Sequence, residues 1–344
     1  MKKKTLGLVL AAVLTAGSLF GCGGDGGSKG TTGTEGGSGQ AASGDKIELR
    51  MAQASAADGA IGQSMEEFAK LVNEKSGGRI EITVFHNGQL GTERDNVEAC
   101  QLGNLDIAVV NNSVLANFIP WFSAFDLPYV IENTDHADKV FLGEIGDDML
   151  KAMDDVGIKG LSVWESGFRN LTNSVREVNS LADVSGLRIR VMENAVHQAL
   201  WGALGADAVP MNWSDAYTAM QQGAIDGQEN PTTVIDKNNV VEVNKNLAVT
   251  EHVYSTVSII MAPSVWNSLS ADDQKILTDA MAEIEVSERE LSRTMDTEAV
   301  STLESQGMKV TRPDKDEFIE ATKTVRDEYG KDYADVLDRV AAAK

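Results

Sequence analysis

Cysteine and histidine are scarce in this sequence. Its 344 residues include two cysteines, Cys22 and Cys100, and four histidines. Only Cys100 lies in the part of the chain that is predicted to fold, so an internal disulfide has no second thiol there, and a small buried side chain is its expected role. The histidines show no metal-ligand spacing with one another or with Cys100. The sequence therefore predicts no disulfide and no metal site, and nothing in it predicts a cofactor.

Basic residues are also few. Lys and Arg total 30 against 52 Asp and Glu, for a net charge of −22. Removing a predicted leader that contains three lysines and no acids leaves 27 basic residues (30 − 3) against 52, or −25. Nucleic acid is a poor partner for such a chain, because phosphate backbones require a basic surface. An anionic small molecule remains possible, since a local pair of arginines can dominate a buried site.

Long apolar runs are confined to the N-terminus. Lys2, Lys3 and Lys4 precede an apolar stretch from Leu6 to Phe20. This stretch is short for a membrane span, which needs about 20 residues, and no later stretch approaches that length. A basic start followed by a short apolar segment is typical of a secretory signal peptide, predicted here for residues 1–21.

The end of this leader has the sequence LFGC at residues 19–22. It resembles a bacterial lipobox, in which the cysteine becomes a lipidated N-terminus after cleavage, although Phe20 is bulkier than usual. Residues 22–44 are then expected to form a lipid-anchored, flexible linker rich in Gly and Ser, with a reach of roughly 25 Å. The alternative is an ordinary secreted protein in which Cys22 merely lies at the cleavage site.

Strand and helix patterns alternate after the linker. Residues 47–51 and 80–84 have the features of strands, and residues 107–110 form a continuous apolar run, as in a strand covered on both faces. Thr92 is the expected N-cap of a helix that ends at Gly103. Because strands and helices alternate, the sequence predicts an α/β fold with a mainly parallel sheet.

A second set of alternating elements begins near residue 187. The strand at residues 187–191 has Leu, Ile and Val on one face and Arg188 and Arg190 on the other. Ser214 can cap a later helix that ends near Gly223. The repetition predicts two lobes.

One exceptionally long helix is predicted from Ala271 to Gln306. This stretch is rich in Ala, Glu, Leu and Met and contains no Gly or Pro until Gly307. No heptad pattern indicates a coiled coil, so we expect the helix to pack along the body and bridge both lobes.

Two arginines are the strongest candidates for chemistry. Arg169 occurs in GFRNLTNS, and Arg190 in GLRIRVMEN. A planar guanidinium group suits a carboxylate, because it can donate two parallel hydrogen bonds. The structural alternative is that each arginine pairs with an Asp or Glu at the surface.

Several separated motifs resemble one family. They are FHNGQLGTERDNVEACQLGNLDIA, DLPYVIEN at residues 126–133, and the run from GLRIRVMEN to DGQENP. In this order they closely resemble the substrate-binding proteins of TRAP transporters, the DctP family of extracytoplasmic solute receptors. The resemblance covers the whole mature domain and implies a two-lobed, type II-like periplasmic-binding-protein fold.

The resemblance also implies roles for individual residues. Arg190 would hold the ligand carboxylate, Arg169 would assist, and Asn230 would orient Arg190 or the carboxylate. Glu229 fits a contact with an arginine better than a contact with an anion. For Asp226 a turn before the next glycine is the favoured role.

Further candidates lie near predicted strand ends, where ligands of open α/β sheets bind. Trp213 would pack over the carbon skeleton of a ligand, or alternatively belong to the core. Asn111 and Asn112 could hydrogen-bond ligand hydroxyls from the opposite lobe. Gln53 and Glu165 are further candidates at strand ends, as is the neighbouring Trp164.

By analogy, one lobe comprises residues 45–166 and about 256–295, and the other comprises residues 167–255 and about 296–344. An organic acid would enter the open cleft, the lobes would close over it, and the loaded protein would dock on a membrane permease outside the cytoplasm.

No Walker lysine, activated nucleophile or paired catalytic carboxylates occur, so no enzymatic activity is expected. The polar candidates favour a sugar acid such as a uronate. Binding of a C4-dicarboxylate is the alternative, followed by a secreted enzyme or a sensor on the same scaffold.

Overall fold

A computed structural model describes residues 46–344 as a mixed α/β fold. The first part of the chain forms β1 (Ile47–Ala52), α1 (Ala60–Lys75), β2 (Ile80–Phe85), α2 (Glu93–Leu102), β3 (Ile107–Asn111), α3 (Asn112–Leu115), a 3-10 helix (Pro120–Asp126), α4 (Thr134–Phe141), α5 (Glu144–Asp155) and β4 (Lys159–Asn173). The middle part forms a 3-10 helix (Leu181–Val184), β5 (Arg188–Val191), α6 (Ala195–Ala203), β6 (Asp207–Pro210), α7 (Trp213–Gln221), β7 (Gly227–Pro231), α8 (Thr232–Lys237), a 3-10 helix (Val240–Glu242) and β8 (Asn246–Ala248). The last part forms β9 (Tyr254–Met261), α9 (Pro263–Ser268), α10 (Ala271–Ser305), β10 (Lys309–Thr311), α11 (Lys315–Ala321), α12 (Lys323–Tyr329), a 3-10 helix (Gly330–Tyr333) and α13 (Ala334–Ala342).

The strands form one continuous sheet with the order β2-β1-β3-β9-β4-β7-β5-β6, while β8 pairs with both β4 and β10. The long strand β4 belongs to both ends of this sheet. Its residues 159–168 pair with β9, and its residues 169–173 pair with β7. We call the strands on the β9 side of this transition the first half-sheet and those on the β7 side the second half-sheet. Arg169 is therefore the first residue of β4 in the second half-sheet.

The expectation of a mainly parallel sheet is only partly correct. Five of the nine strand pairings are parallel, and they lie toward the outer strands of the two half-sheets. The pairings of β9 with β3 and of β4 with β9, β7 and β8 are antiparallel. An apolar strand looks the same in sequence whichever direction it runs, so the pattern does not reveal these central antiparallel strands.

The first half-sheet is covered on both faces. Ala108 and Val110 of β3 pack in a core with α2 to α5, whereas Ile107 and Val109 pack in a second core with α1 and α10. This alternation explains the continuous apolar run of β3 and confirms that the strand is covered on both sides. The second half-sheet has its own apolar clusters, built around β5, α6 and β8.

Helix α10 extends from Ala271 to Ser305, and the side chain of Ser270 caps its N-terminus by accepting a hydrogen bond from the backbone N–H of Asp273. It packs against α1 and β4 and also against α8 and β10. The long helix predicted by the sequence is thus confirmed, and it contacts elements of both half-sheets.

One local prediction was wrong, and another was incomplete. The cap of α7 is Asn212, which accepts from the N–H of Asp215, and not Ser214, which lies within the first turn. Asp226 does more than form a turn: its Oδ2 accepts from the backbone N–H of Arg188 at 2.8 Å, and its Oδ1 pairs with the Arg188 guanidinium at 2.6 Å. Arg188 thus forms an ion pair with an acid, the alternative that the sequence left open for Arg169 and Arg190.

Candidate functional site

A cavity lies where the carboxyl ends of β1 and β3 face those of β5 and β7. It encloses about 410 Å³, including the part open to solvent, and we call it the first cavity. Its polar and charged lining comprises Ser55, Glu93, Asn111, Ser166, Arg190, Trp213 and Asn230. The carboxyl ends of strands are the usual place for ligands in open α/β sheets.

Arg190 provides the positive charge of the first cavity. Its side chain is 2% exposed, and Nε donates to the carbonyl oxygen of Met211 at 2.8 Å. Within residues 46–344, no carboxylate lies within salt-bridge distance of this guanidinium. Burial lowers the pKa of Arg190 to about 10, which still leaves it protonated at neutral pH. The cavity therefore contains a buried cation with no protein counter-ion in contact, an arrangement suited to an anion.

Trp213 and Asn230 flank this cation. Trp213 is the first residue of α7, and Cζ of Arg190 lies 5.6 Å from the centroid of its ring, which is the distance of a cation–π contact. Asn230 lies near the end of β7 and donates through Nδ2 to Oε1 of Gln228 at 2.6 Å. This amide is thus anchored by Gln228, while Asn230 lines the same cavity as Arg190.

The opposite wall carries Asn111 and Glu93. Asn111 caps α3 by accepting from the N–H of Ser113 at 2.9 Å and donates to Oγ of Ser255 at 2.8 Å. Oε1 of Glu93 accepts from the N–H of Asn111 at 2.7 Å. Burial raises the pKa of Glu93 by more than the nearby arginines lower it. Our sequence reasoning missed Glu93, whose one local signal is its position in the first turn of α2.

Arg169 and Glu229 form a buried ion pair behind the first cavity. Nε of Arg169 donates to Oε2 of Glu229 at 2.5 Å and Nη2 donates to Oε1 at 2.9 Å, and both side chains are almost fully buried. Nε2 of His252 lies 3.0 Å from Oε2 of the same carboxylate. Burial alone would raise the pKa of Glu229, but Arg169, His252 and His197 together hold it well below its usual range. Glu229 thus contacts an arginine, and a ligand contact for Arg169 or Glu229 stays a prediction.

A second buried acid extends this cluster toward the first half-sheet. Oδ1 of Asp126 lies 3.2 Å from Nε2 of His197, and Oδ2 accepts from Nδ2 of Asn194 at 2.7 Å. Ser113 donates to the same carboxylate. His197 Nδ1 lies 3.7 Å from Oε1 of Glu229, so the imidazole lies between two carboxylates. Neither Asp126 nor His197 was a candidate from the sequence, because their partners are distant in the chain.

Gln53 and Glu165 line an adjoining space, which we call the second cavity. It encloses about 340 Å³, including its open part, and shares Ser55 and Ser166 with the first cavity. Oε2 of Glu165 accepts from Nε of Arg293 at 2.9 Å, so its charge is compensated.

Asn112 and Trp164 lie outside the linings of both cavities. Nδ2 of Asn112 donates to Thr256 at 2.6 Å, and its Oδ1 accepts from Ser258 at 2.5 Å, so both ends of the amide bind β9. Trp164 packs in the core between the first half-sheet and α10. Around the first cavity the structure brings together Arg190, Trp213, Asn230 and Asn111. Around the second cavity it places Gln53 and Glu165. The remaining candidates, Arg169, Glu229 and Asn112, lie outside both linings.

Glu288 of α10 gives a pH prediction. Its side chain is buried, Oε2 accepts from the N–H of Glu165 at 2.9 Å, and burial raises its pKa from 4.5 to about 8. The folded protein therefore binds the proton of the Glu288 carboxyl group more tightly than the unfolded chain does. The stabilisation that this bound proton provides is full below pH 4.5 and is lost as the pH rises through about 8. We expect Glu288→Gln to raise the free energy of unfolding by about 1 to 3 kcal/mol at pH 8.5.

Urea unfolding of the wild type and Glu288→Gln at pH 5.5 and 8.5 measures this effect. The gain from the substitution should be larger at the higher pH. An equal difference at both pH values would show that Glu288 titrates normally.

Within residues 46–344, no helix is both long and apolar enough to span a membrane. The same residues contain no cluster of His, Cys, Asp and Glu side chains that could hold a metal ion. The predicted signal peptide, the lipidation site at Cys22 and the linker lie outside the residues that the structure describes.

Residues 51–332 match the family model described as bacterial extracellular solute-binding protein, family 7, or DctP. The chain belongs to the DctP family. Members of this family are binding proteins of TRAP transporters, so the family assignment made from the sequence motifs is confirmed. A DctP-family protein acts outside the cytoplasm, in agreement with the predicted secretory signal.

Sequence and structural relatives support this assignment. A solute-binding protein of Verminephrobacter eiseniae is 35% identical over 82% of this DctP-family chain and 85% of its own length. The sugar acid binding protein DctPAm of Advenella mimigardefordensis, solved with galactonate, is 30% identical with a TM-score of 0.84, covering 87% of this chain and 99% of the other. A TRAP periplasmic solute-binding protein of Sulfurospirillum deleyianum, solved with succinate, is 27% identical with a TM-score of 0.84, covering 87% of this chain and 100% of the other.

Proposed function

We propose that this protein is the receptor of a TRAP transporter for an organic acid, and that it binds the ligand carboxylate at Arg190. The observation that carries the proposal is the buried guanidinium of Arg190, which lines a cavity and has no carboxylate partner in residues 46–344. A ligand carboxylate would supply the missing negative charge through charge-assisted hydrogen bonds, each worth roughly 1.5 to 3 kcal/mol. An uncharged ligand would leave the buried cation uncompensated.

Within this class we propose a sugar acid such as a uronate or an aldonate. Beyond Arg190, the first cavity presents Glu93, Asn111 and Asn230, whose oxygens can accept hydrogen bonds from hydroxyl groups. A second carboxylate would require a second cation, and Arg190 is the only basic residue in the described lining of this cavity. Lys237 lines the adjoining second cavity, but its Nζ is paired with Oδ2 of Asp236 at 2.8 Å. The relative solved with galactonate supports the preference, while the relative solved with succinate keeps a C4-dicarboxylate as the second candidate.

The remaining parts of the proposal concern delivery. We propose that the two half-sheets belong to two lobes, with the predicted boundaries at residues 45–166 plus about 256–295 and 167–255 plus about 296–344. Rotation about β4 and the long helix α10 would close the lobes on the ligand. The closed receptor would then dock on the membrane permease, and a lipid anchor at Cys22 would keep it near that partner.

A thermal-shift panel tests the ligand class. We expect D-galactonate or D-glucuronate to stabilise the protein by several degrees, because ligand at about 100 times its Kd adds about 2.7 kcal/mol to the free energy of unfolding. Galactitol, which has the hydroxyls of galactonate but no carboxylate, is the matched control and should produce no shift. A larger shift with succinate than with any sugar acid would support the dicarboxylate candidate instead.

The same panel can contradict the proposal as a whole. Equal stabilisation by galactitol and galactonate would show that the carboxylate is not recognised. Recovery of chemically altered ligand would support the alternative of a secreted enzyme, whereas a receptor returns its ligand unchanged. Stabilisation without any uptake by a co-expressed permease would support the alternative of a sensor.

A further inference from the structure

The second cavity adjoins the first. Ser55, Ile61, Ser166 and Val234 line both, so the two spaces meet along a common wall. Arg190 lines the first cavity only, and Gln53 lines the second cavity only. A ligand long enough to reach from one to the other would therefore place its distal atoms beside this amide.

The orientation of the Gln53 amide is fixed by its neighbours. Nε2 lies 3.2 Å from the carbonyl oxygen of Ala56, which can only accept a hydrogen bond, so the NH₂ end of the amide faces Ala56. The same nitrogen lies 2.8 Å from Nδ1 of His86. Both amide hydrogens are thus used by the protein. Among the hydrogen bonds of residues 46–344 none involves Oε1, so the atom left for a ligand is an acceptor.

His86 completes this arrangement. Because Gln53 donates to Nδ1, the imidazole must accept there and carry its hydrogen on Nε2. Nε2 lies 2.9 Å from Oε1 of Glu66, an exposed carboxylate on α1 that accepts this hydrogen. His86 is itself almost fully buried. A chain of three side chains therefore leads from the surface to the cavity and sets which end of the Gln53 amide is available.

We propose that the second cavity is a subsite for the distal hydroxyl groups of a carboxylate ligand held at Arg190, and that His86 is a positioning residue that holds the Gln53 carbonyl oxygen ready to accept from them. The subsite rests on the proposed function of the first cavity and adds a length and hydroxyl requirement to it. A six-carbon sugar acid would reach the second cavity, whereas a four-carbon acid with the same carboxylate and first hydroxyl groups would end within the first.

Paired titrations by calorimetry test this subsite, with D-galactonate as the six-carbon probe and D-erythronate as the four-carbon probe. The wild type should bind galactonate more tightly. In Gln53→Leu the preference should fall about five- to tenfold, as expected for one hydrogen bond to a ligand hydroxyl, while erythronate affinity changes little. His86→Leu should reduce the preference in the same direction, and the double variant should reduce it no further than Gln53→Leu alone.

Exposed residues provide variants that do not disturb the core. Glu66→Ala removes the acceptor of His86 and should lower the preference two- to fivefold, whereas Glu66→Gln retains an acceptor oxygen and should restore it. Glu67→Ala, which removes the adjacent exposed carboxylate on α1, is the matched control and should leave the preference unchanged.

Four results would overturn this proposal. Equal loss of both ligands in Gln53→Leu would indicate a general effect on folding or closure. Additive effects in the double variant would show that His86 does not act through Gln53. Equal binding of galactonate and erythronate by the wild type would show that the second cavity contributes nothing, yet it would leave acid binding at Arg190 intact. Absence of binding by either acid would refute the proposed sugar-acid specificity together with the subsite.

Discussion

Replacing Arg190 by methionine is expected to lower the affinity for the organic acid at least several hundredfold. Methionine retains much of the apolar volume but removes the charge, so the ligand carboxylate would enter a buried site without a cation. Breaking a buried charge pair by removing one partner costs roughly 3 to 5 kcal/mol, which corresponds to this loss in affinity. Calorimetric titration with the acid that gives the largest thermal shift measures the effect.

The same substitution should stabilise the ligand-free protein. Burial without a contacting carboxylate disfavours the charged form in the folded state and lowers the pKa of Arg190 to about 10. Removing the charge relieves that cost, and we expect the free energy of unfolding without ligand to rise by about 1 to 3 kcal/mol. Gain of stability together with loss of binding is the result expected of a binding residue and not of a structural one.

Arg188→Met is the matched control. Arg188 lies two residues earlier on β5, but its guanidinium pairs with Asp226 and its side chain is 42% exposed. We expect affinity for the acid within about twofold of the wild type, because a partly exposed ion pair contributes little and does not reach the cavity. Retention of full affinity in Arg190→Met would contradict the proposed site, and equal losses in both variants would indicate damage to β5.

The residues that line the first cavity are easier to predict from the sequence than the residues around them. Arg190, Trp213, Asn230 and Asn111 lie at the ends of elements whose periodicity is visible in the sequence, and motif resemblance places them together. Strand ends of an α/β sheet converge whatever the details of the packing. The residues that reach the cavity from such ends could therefore be named in advance.

The hydrogen-bond partners around the two cavities could not be predicted in this way. Asp126 and His197 meet across 71 positions of the chain, and Gln53 and His86 meet across 33. Each is an isolated polar residue in its own segment, and hydrogen-bond partners so distant leave no periodic signal. The antiparallel direction of β9 is hidden for the same reason, because it depends on tertiary pairing with β3 and β4.

Replacing Glu229 by alanine should destabilise the protein more than any single change at the surface. The Glu229 carboxylate receives two hydrogen bonds from the Arg169 guanidinium and one from His252. Burial and the contact with Glu229 have opposite effects on the pKa of this imidazole. Burial lowers the pKa of His252 by more than Glu229 raises it, so His252 is neutral at pH 7 and donates from Nε2. Without the Glu229 side chain the Arg169 charge stays buried with no carboxylate in contact, at a cost of roughly 3 to 5 kcal/mol.

Urea unfolding at pH 7 measures that cost, and a fall in Tm of roughly 5 to 15 °C should accompany it. Glu177→Ala is the control, because Glu177 forms an exposed ion pair with Lys309 at 2.8 Å that is worth less than about 1 kcal/mol.

In Arg169→Met/Glu229→Met both charges are removed together, so the double variant should lose at least about 2 kcal/mol less than the sum of the losses in the two single variants. If the two losses simply add, or if Glu229→Ala costs no more than Glu177→Ala, the buried pair does not depend on mutual compensation, and Arg169 would be free to serve as a second cation for the ligand.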